Sequence, residues 1–333
     1  METTRIPGTG LAPTRIGLGT WVMGGWMWGG VDDAEAVATI HAALDRGVTL
    51  IDTAPVYGMG HAERLVGRAL AESGRRDDVV LATKAGLDWE GESPFRDARR
   101  RRLLQEIDDS RARLGVDAVD ILHVHWPDPL VPIEETADAM REILEAGKTR
   151  AVGVSNFSVE QIERFRAHCP LHVVQPPYNL FERGIEDELL PRVARNDMTT
   201  LTYGALCRGL LSGKIDASRD FQGDDLRRND PKFQERRFAQ YLDAVQRLDE
   251  LAKERFGKDV IHLALRWLLD RPGVGVALWG ARRPDQLAPL ADVMDFRLDD
   301  DAMAEIDAIL ADTIRDPIGP EFMAPPTREA RAA

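Results

Sequence analysis

Short runs of apolar, β-branched residues alternate with longer stretches of helical periodicity along most of the chain. The runs cover residues 14–20, 48–54, 79–84, 119–126, 151–155, 172–175, 199–203 and 274–279. Between them lie amphipathic stretches at 34–46, 63–73, 97–114, 134–146, 159–168 and 186–195. Gly47 and Gly147 follow helical patterns as stop signals, and Ser158 with Gln161 fits a capping box. The runs are too short and too apolar for half-exposed antiparallel strands, so they predict a parallel sheet covered on both faces. Eight alternating βα units are the count of a closed (β/α)8 TIM barrel, where a doubly wound sheet more often has five or six strands.

Three segments interrupt the rhythm. Residues 1–13 predict a hairpin plug ahead of the first strand. A polar, Asp/Arg-rich insertion at 216–238 follows the seventh strand and is longer than an ordinary connection. A C-terminal arm spans residues 312–333, extended by four prolines and frayed at its small-residue end. At 333 residues the chain is within the range of one barrel domain.

Composition narrows the function. The 43 Lys+Arg and 56 Asp+Glu leave a formal charge of −13, which argues against nucleic-acid partners. No apolar run approaches the roughly 18 residues of a membrane span, and the start lacks a signal-peptide pattern, so a cytoplasmic protein without a membrane partner is expected. Two cysteines, Cys169 and Cys207, are too few for a disulfide framework. Seven tryptophans outnumber four tyrosines; Trp21, Trp26, Trp28 and Trp126 fall on or just past strand ends and Trp89 in the loop after the third strand, where they can line an aromatic substrate pocket.

Barrel chemistry belongs at the C-terminal strand ends, and almost every run here closes on a polar group. Asp52, Tyr57, Lys84 and His125 form a complementary set. A lysine ammonium stabilises a phenolate, an aspartate holds the lysine, and a histidine orients a carbonyl, so together they can protonate a developing alkoxide. A plain structural reading makes Asp52 and Lys84 a buried ion pair with Tyr57 and His125 as satisfied polar groups. His123 and His125 also open a metal-hydrolase reading, with Asp52 or Asp128 as further ligands, though a third imidazole is hard to place.

Ser155, Asn156 and Gln175 can hold a carboxamide, with Tyr203 stacking a flat ring. The loop 204–214, GALCRGLLSGK, can bring backbone and Lys214 to a pyrophosphate. Arg282 and Arg283 precede Pro284, a residue suited to the first turn of a helix, and so mark a phosphate site.

The segments LIDTAPVYG (50–58), HVHWPD (123–128), GVSNF (153–157), VQPPYN (174–179) and WGARRPDQ (279–286), together with Lys84, resemble the aldo-keto reductases. MGGWMWGG (23–30), QPPYNLFER (175–183) and DPIGPEFMAPPT (316–327) resemble the bacterial general-stress-protein branch. That resemblance implies one barrel binding NADPH, with NADH the lesser candidate, and reducing small aldehydes or ketones, or oxidising alcohols or sugars in reverse.

It implies Asp52, Tyr57, Lys84 and His125 as the catalytic tetrad, with Tyr57 donating the proton. It sets Gly19, Thr20, Trp21, Ser155, Asn156, Gln175 and Tyr203 against the cofactor. Gly204, Leu206, Arg208, Leu211, Ser212 and Lys214 would lie by the pyrophosphate, with Gly280, Arg282, Arg283 and Gln286 beyond and the insertion 216–238 closing over it. Leu122 and His123 stand where relatives often carry Tyr and Gln, and Gly280 where many carry a phosphate-binding lysine. Pro289 and Leu290 replace an acid and an amide expected against the adenine. An alternative from the same resemblance is a cofactor-binding redox sensor like the potassium-channel β subunits, with little turnover.

Overall fold

The computed structural model describes residues 1–195 and 197–329. Its strands are β1 (Ile16–Gly19), β2 (Leu50–Asp52), β3 (Val80–Ala85), β4 (Leu87–Glu90), β5 (Ser93–Arg96), β6 (Val119–Val124), β7 (Thr149–Ser155), β8 (Val173–Gln175), β9 (Thr199–Thr202) and β10 (Val276–Gly280). The helices are α1 (Asp33–Asp45), α2 (His61–Ser73), α3 (Arg100–Leu114), α4 (Ile133–Glu145), α5 (Val159–Arg166), α6 (Leu189–Val193), α7 (Glu235–Phe256), α8 (Val260–Asp270) and α9 (Asp300–Thr313). Eight of the strands close into a parallel barrel in the order β1-β10-β9-β8-β7-β6-β3-β2, the (β/α)8 architecture. Among the described residues no helix is long and apolar enough to cross a membrane.

Strand periodicity explains how the barrel is filled. Near the N-terminal ends, Leu50, Ala82, Ile121, Ala151, Val173, Leu201 and Val276 meet in one apolar cluster, joined by Ile6 and Leu11 from the hairpin. The hairpin is held by Thr4 N–H to Pro13 O and Ile6 N–H to Leu11 O, both 2.9 Å, so its apolar tip stoppers that end. Two residues further along the strands, on the same inward face, come Asp52, Lys84, His123, Gly153, Gln175 and Tyr203. The apolar floor and the polar upper layers are therefore one alternation read at different heights.

Local signals behave as their chemistry requires. Gly47 (φ 79°) and Gly147 (φ 70°) take the left-handed conformation after α1 and α4. Ser158 and Gln161 exchange both capping-box bonds at the start of α5. Other expectations need correction. The β4–β5 hairpin, paired from Leu87↔Arg96 to Glu90↔Ser93, was not expected after the third barrel strand. The insertion contains two short 3-10 turns, Leu226–Arg228 and Pro231–Phe233, and its last residues already belong to α7. The helix expected at 186–195 shortens to α6, and Pro284 begins a 3-10 helix with Pro289 inside it rather than an α-helix.

Since α9 continues to Thr313, the C-terminal arm starts later than residue 312. It crosses the barrel mouth and docks on β5, with Arg96 N–H to Pro326 O at 2.9 Å and Arg96 Nε to Pro325 O at 2.8 Å. The expected frayed end, residues 330–333, lies outside the described residues.

Candidate active site

Lys84 rises from β3 inside the barrel, its side chain buried. Its Nζ donates to Asp52 Oδ2 (2.6 Å), Thr53 O (3.0 Å) and the Tyr57 hydroxyl (3.1 Å). The remaining Asp52 oxygen accepts Gln175 Nε2 at 2.8 Å, so both carboxylate oxygens are engaged. His125, just past β6, presents its ring edge to Tyr57 at 5.9 Å between centroids. Tyr57 is fixed by a close backbone approach: Gly58 has φ 64°, and a Cβ there would lie 2.1 Å from Gly24 O. That contact brings Trp21 over Tyr57, with near-parallel rings 6.0 Å apart.

Burial sets the charges. It pushes the Tyr57 phenol well above its ordinary value, reinforced by the Asp52 carboxylate, so Tyr57 holds its proton at rest. This reverses, for the resting phenol, the lowering expected from Lys84 alone. Lys84 is itself lowered by burial, with Asp52 opposing that effect. Burial, then Lys84 and His123, drives His125 well below the ordinary imidazole range, leaving it neutral.

Asn156 takes φ 64°. Its Nδ2 donates to His125 O and Ser155 Oγ, both at 3.0 Å, and its Oδ1 accepts the Tyr203 hydroxyl at 2.8 Å. Ser155 Oγ in turn donates to Gln175 O at 2.8 Å. One polar belt thus links the ends of β6, β7, β8 and β9.

Two cavities meet at Trp21, Tyr57 and Tyr203. The larger, about 420 Å³, is floored by Tyr57, His125, Asn156 and Gln175 and walled by Trp21, Trp26 and Trp126. The smaller, about 200 Å³, collects Gly19, Thr20, Trp21, Trp28, Tyr203, Gly204, Leu206, Arg208, Gly280, Arg282 and Gln286. Two expected pocket tryptophans are corrected. Trp28 belongs to the smaller cavity, and Trp89, on β4, is outside both because it packs under the Arg102 guanidinium at 5.2 Å.

Of the expected cofactor residues, Ser155, Asn156 and Gln175 line the larger cavity, and four others fall outside the walls of both. Leu211 is buried in the main core and its N–H bonds Leu206 O. Ser212 Oγ bonds Gly209 O at 2.6 Å, Lys214 is exposed, and Arg283 pairs with Asp285 at 3.1 Å. Arg208 borders the cavity, yet its charge is consumed by Glu182 and Asp230, both at 2.5 Å. Lys232 joins them at 2.8 Å from Glu182. Burial opposes ionisation of Glu182, but Arg208 and Lys232 outweigh it and hold the carboxyl below its ordinary range.

The structure adds residues that strand-end reasoning missed. Arg227, from the insertion, faces Trp28 at 5.3 Å, and Arg282 faces it at 5.6 Å while donating to Trp28 O. Asp224 accepts Met27 N–H (2.7 Å) and Gly29 N–H (2.9 Å), strapping the insertion to the loop after β1. Phe322 and Met323 on the arm complete the larger cavity. The sequence signals for these contacts were the length and Asp/Arg-rich composition of the insertion and the proline-rich DPIGPEFMAPPT segment of the arm, neither of which said where the segments would dock.

The metal reading loses its ligands. Asp52 is tied to Lys84 and Gln175, Asp128 to Ala98 N–H and Arg328, and no metal-binding group of His, Cys, Asp or Glu assembles among the described residues.

Comparison with known proteins identifies the family. The chain is 58% identical over 329 residues to the aldo-keto reductase YhdN of Bacillus subtilis, covering 99% of each. It is 33% identical over 307 residues to an NADH-specific methylglyoxal reductase of Escherichia coli, covering 88% of this chain and 93% of that one. The solved glycerol dehydrogenase AKR11B4 from Gluconobacter oxydans superimposes with a TM-score of 0.87 at 50% identity, over 97% of this chain and 99% of that one. The Aldo/keto reductase family model matches residues 15–311, and the chain belongs to that family of oxidoreductases.

Proposed function

We propose that this protein reduces aldehydes or ketones with NADPH, or oxidises the corresponding alcohols in reverse, with Tyr57 as the proton donor. The observation that carries the reading is Lys84 Nζ bridging Asp52 Oδ2 at 2.6 Å and the Tyr57 hydroxyl at 3.1 Å on the floor of an apolar cavity.

The residues of the smaller cavity fit a dinucleotide. Trp21 Nε1 and Trp28 Nε1 are buried donors without a partner among the described residues, as suits walls that receive an acceptor-rich guest. Arg282 brings positive charge to the cleft, with Arg227 and its Asp225 partner beside it, which favours a phosphate-rich ligand. Ser155, Asn156, Gln175 and Tyr203 would hold the nicotinamide end, and Arg227, Arg282 and Gln286 the phosphates. When bound, the reduced nicotinamide supplies a hydride to the carbonyl carbon.

The rest is done by this chain. Neutral His125 orients the carbonyl oxygen toward Tyr57, and Tyr57 releases its proton as negative charge grows on that oxygen. Lys84 stabilises the phenolate, and Asp52 keeps the ammonium charged and aimed. The two-arginine cleft supports NADPH over NADH.

Tyr57→Phe tests the assignment. NADPH binding should persist while turnover of a reactive aldehyde falls by orders of magnitude, and unchanged turnover would remove Tyr57 as the acid. Assays with NADPH and NADH side by side decide the cofactor. Tight cofactor retention without turnover on an aldehyde panel would instead support the redox-sensing module.

A further inference from the structure

We propose that the larger cavity selects neutral carbonyl compounds with an aromatic or bulky apolar body and turns away phosphorylated or carboxylated ones, with Glu92 as a specificity-determining residue at its mouth. This rests on the carbonyl-reductase reading above. The cavity encloses about 420 Å³, and beyond the reacting groups its walls are largely apolar, with Trp21, Trp26, Trp126, Leu226 and Phe322 prominent. Among the described residues that line it, Glu92 alone carries a formal charge; no lysine or arginine reaches the wall.

The cations nearby are committed elsewhere. Arg96 donates Nε to Pro325 O (2.8 Å) and Nη1 to Pro127 O (3.2 Å), and its guanidinium faces the Trp126 ring at 5.4 Å. Arg328 is latched to Asp97 and Asp128. Lys84 lies beneath Tyr57, paired with Asp52. The one imidazole on the floor, His125, is uncharged.

A phosphate or carboxylate entering here exchanges water for aromatic faces without gaining a counter-charge, and it passes the Glu92 carboxylate. A neutral aromatic aldehyde loses little hydration and stacks against Trp21 and Trp126. Glu92 sits in the turn between β4 and β5, so the unexpected hairpin is the element that places the repelling group.

The test has a binding arm and a turnover arm. In the first, tryptophan fluorescence of the full chain is titrated with benzyl alcohol and with benzoate at low salt. Benzyl alcohol should bind at least about tenfold more tightly, and equal affinity overturns the proposal without reference to catalysis. In the second, kcat/KM is compared for benzaldehyde and 4-carboxybenzaldehyde and for glyceraldehyde and its 3-phosphate. The neutral member of each pair should be preferred by about tenfold or more. Glu92→Gln should narrow the preference and Glu92→Lys should narrow it further. A preference that survives Glu92→Lys unchanged overturns the role of Glu92. Absence of turnover on every aldehyde with either cofactor overturns the reductase reading instead, with the binding arm still reporting on the cavity.

Discussion

Asp52→Asn isolates the ion pair beneath Tyr57 with almost no change of shape. The carboxylate accepts Lys84 Nζ at 2.6 Å and Gln175 Nε2 at 2.8 Å, and both Asp52 and Lys84 are buried. Without the negative charge, Lys84 must either stay charged in the barrel interior or give up its proton. Removing one partner of a buried pair costs about 3–5 kcal/mol, and deprotonation of Lys84 limits the loss to the lower part of that range near neutral pH. Burial already lowers Lys84, and Asp52 is the first charge opposing it, so the variant's folded-state value falls further.

A lysine lowered on folding binds more protons when unfolded, so stability rises with pH between the lowered value and the ordinary 10.5. That rising window should be wider in Asp52→Asn than in the parent. Urea unfolding from pH 6 to 10 measures it, and the pH profile of kcat measures the chemical counterpart: Lys84 stays charged over a narrower range, so activity should fail at lower pH. Equal stability and superimposable pH profiles for parent and variant would refute the claim that Asp52 maintains the lysine charge.

Trp28→Ala should weaken NADPH binding while changing aldehyde KM little, because Trp28 lines the smaller cavity between Arg227 and Arg282; cofactor titration and steady-state kinetics separate the two. Glu182→Gln leaves Arg208 and Lys232 with a single buried carboxylate, Asp230, and should cost about 3–5 kcal/mol. Adding Lys232→Met should return part of that loss in a double-mutant cycle by denaturation. Gly153→Ala sets a Cβ 2.3 Å from His123 Cδ2 and should cost about 1–3 kcal/mol by forcing the ring to shift. Burial, then Lys84, lowers His123 to about 3, so acidification below 6.5 should remove about 1.4 kcal/mol of stability per pH unit from this residue alone, which acid titration of unfolding checks.

The barrel was legible because its periodicity is local. Val80–Ala85 and Val119–Val124 alternate inward and outward positions, and the residues between strands carry their own caps and stops. The same alternation set Asp52, Lys84, Gln175 and Tyr203 at one height, so the grouping of these polar side chains was readable from strand ends, while Tyr57 and His125 lie just past theirs. The β4–β5 hairpin was not readable: the alternation in Leu87–Glu90 lasts only four residues, Pro94 interrupts the second strand, and outside the hairpin Arg96 bonds the distant arm at Pro326. The insertion and the arm had no period either. Their positions depend on long-range contacts such as Asp224 to Met27 N–H and Arg96 N–H to Pro326 O. Residues from those segments, Arg227 and Phe322 among them, could be placed only by tertiary structure.

Charge shows the same division between type and use. A protein of net charge −13 that binds a polyanion must concentrate cations locally, and the sequence supplies Arg208, Lys214, Arg282 and Arg283 near the right strand ends. Which of them act is decided by their neighbours. Arg208 is neutralised by Glu182 and Asp230, Arg283 by Asp285, and Lys214 lies outside the cleft. Arg282 is left, turned onto Trp28, while Arg227, from a segment with no motif, faces the same ring but is itself paired with Asp225 at 2.5 Å. The same partitioning empties the larger cavity of positive charge, since Arg96 and Arg328 are fixed to the arm and its acidic anchors. The two cavities share Trp21 and Tyr57 as a boundary, yet one gathers cations and the other has none in its walls. The two proposals, an anionic cofactor in the smaller cavity and exclusion of anionic substrates from the larger, therefore rest on one arrangement of arginines and stand or fall on it together.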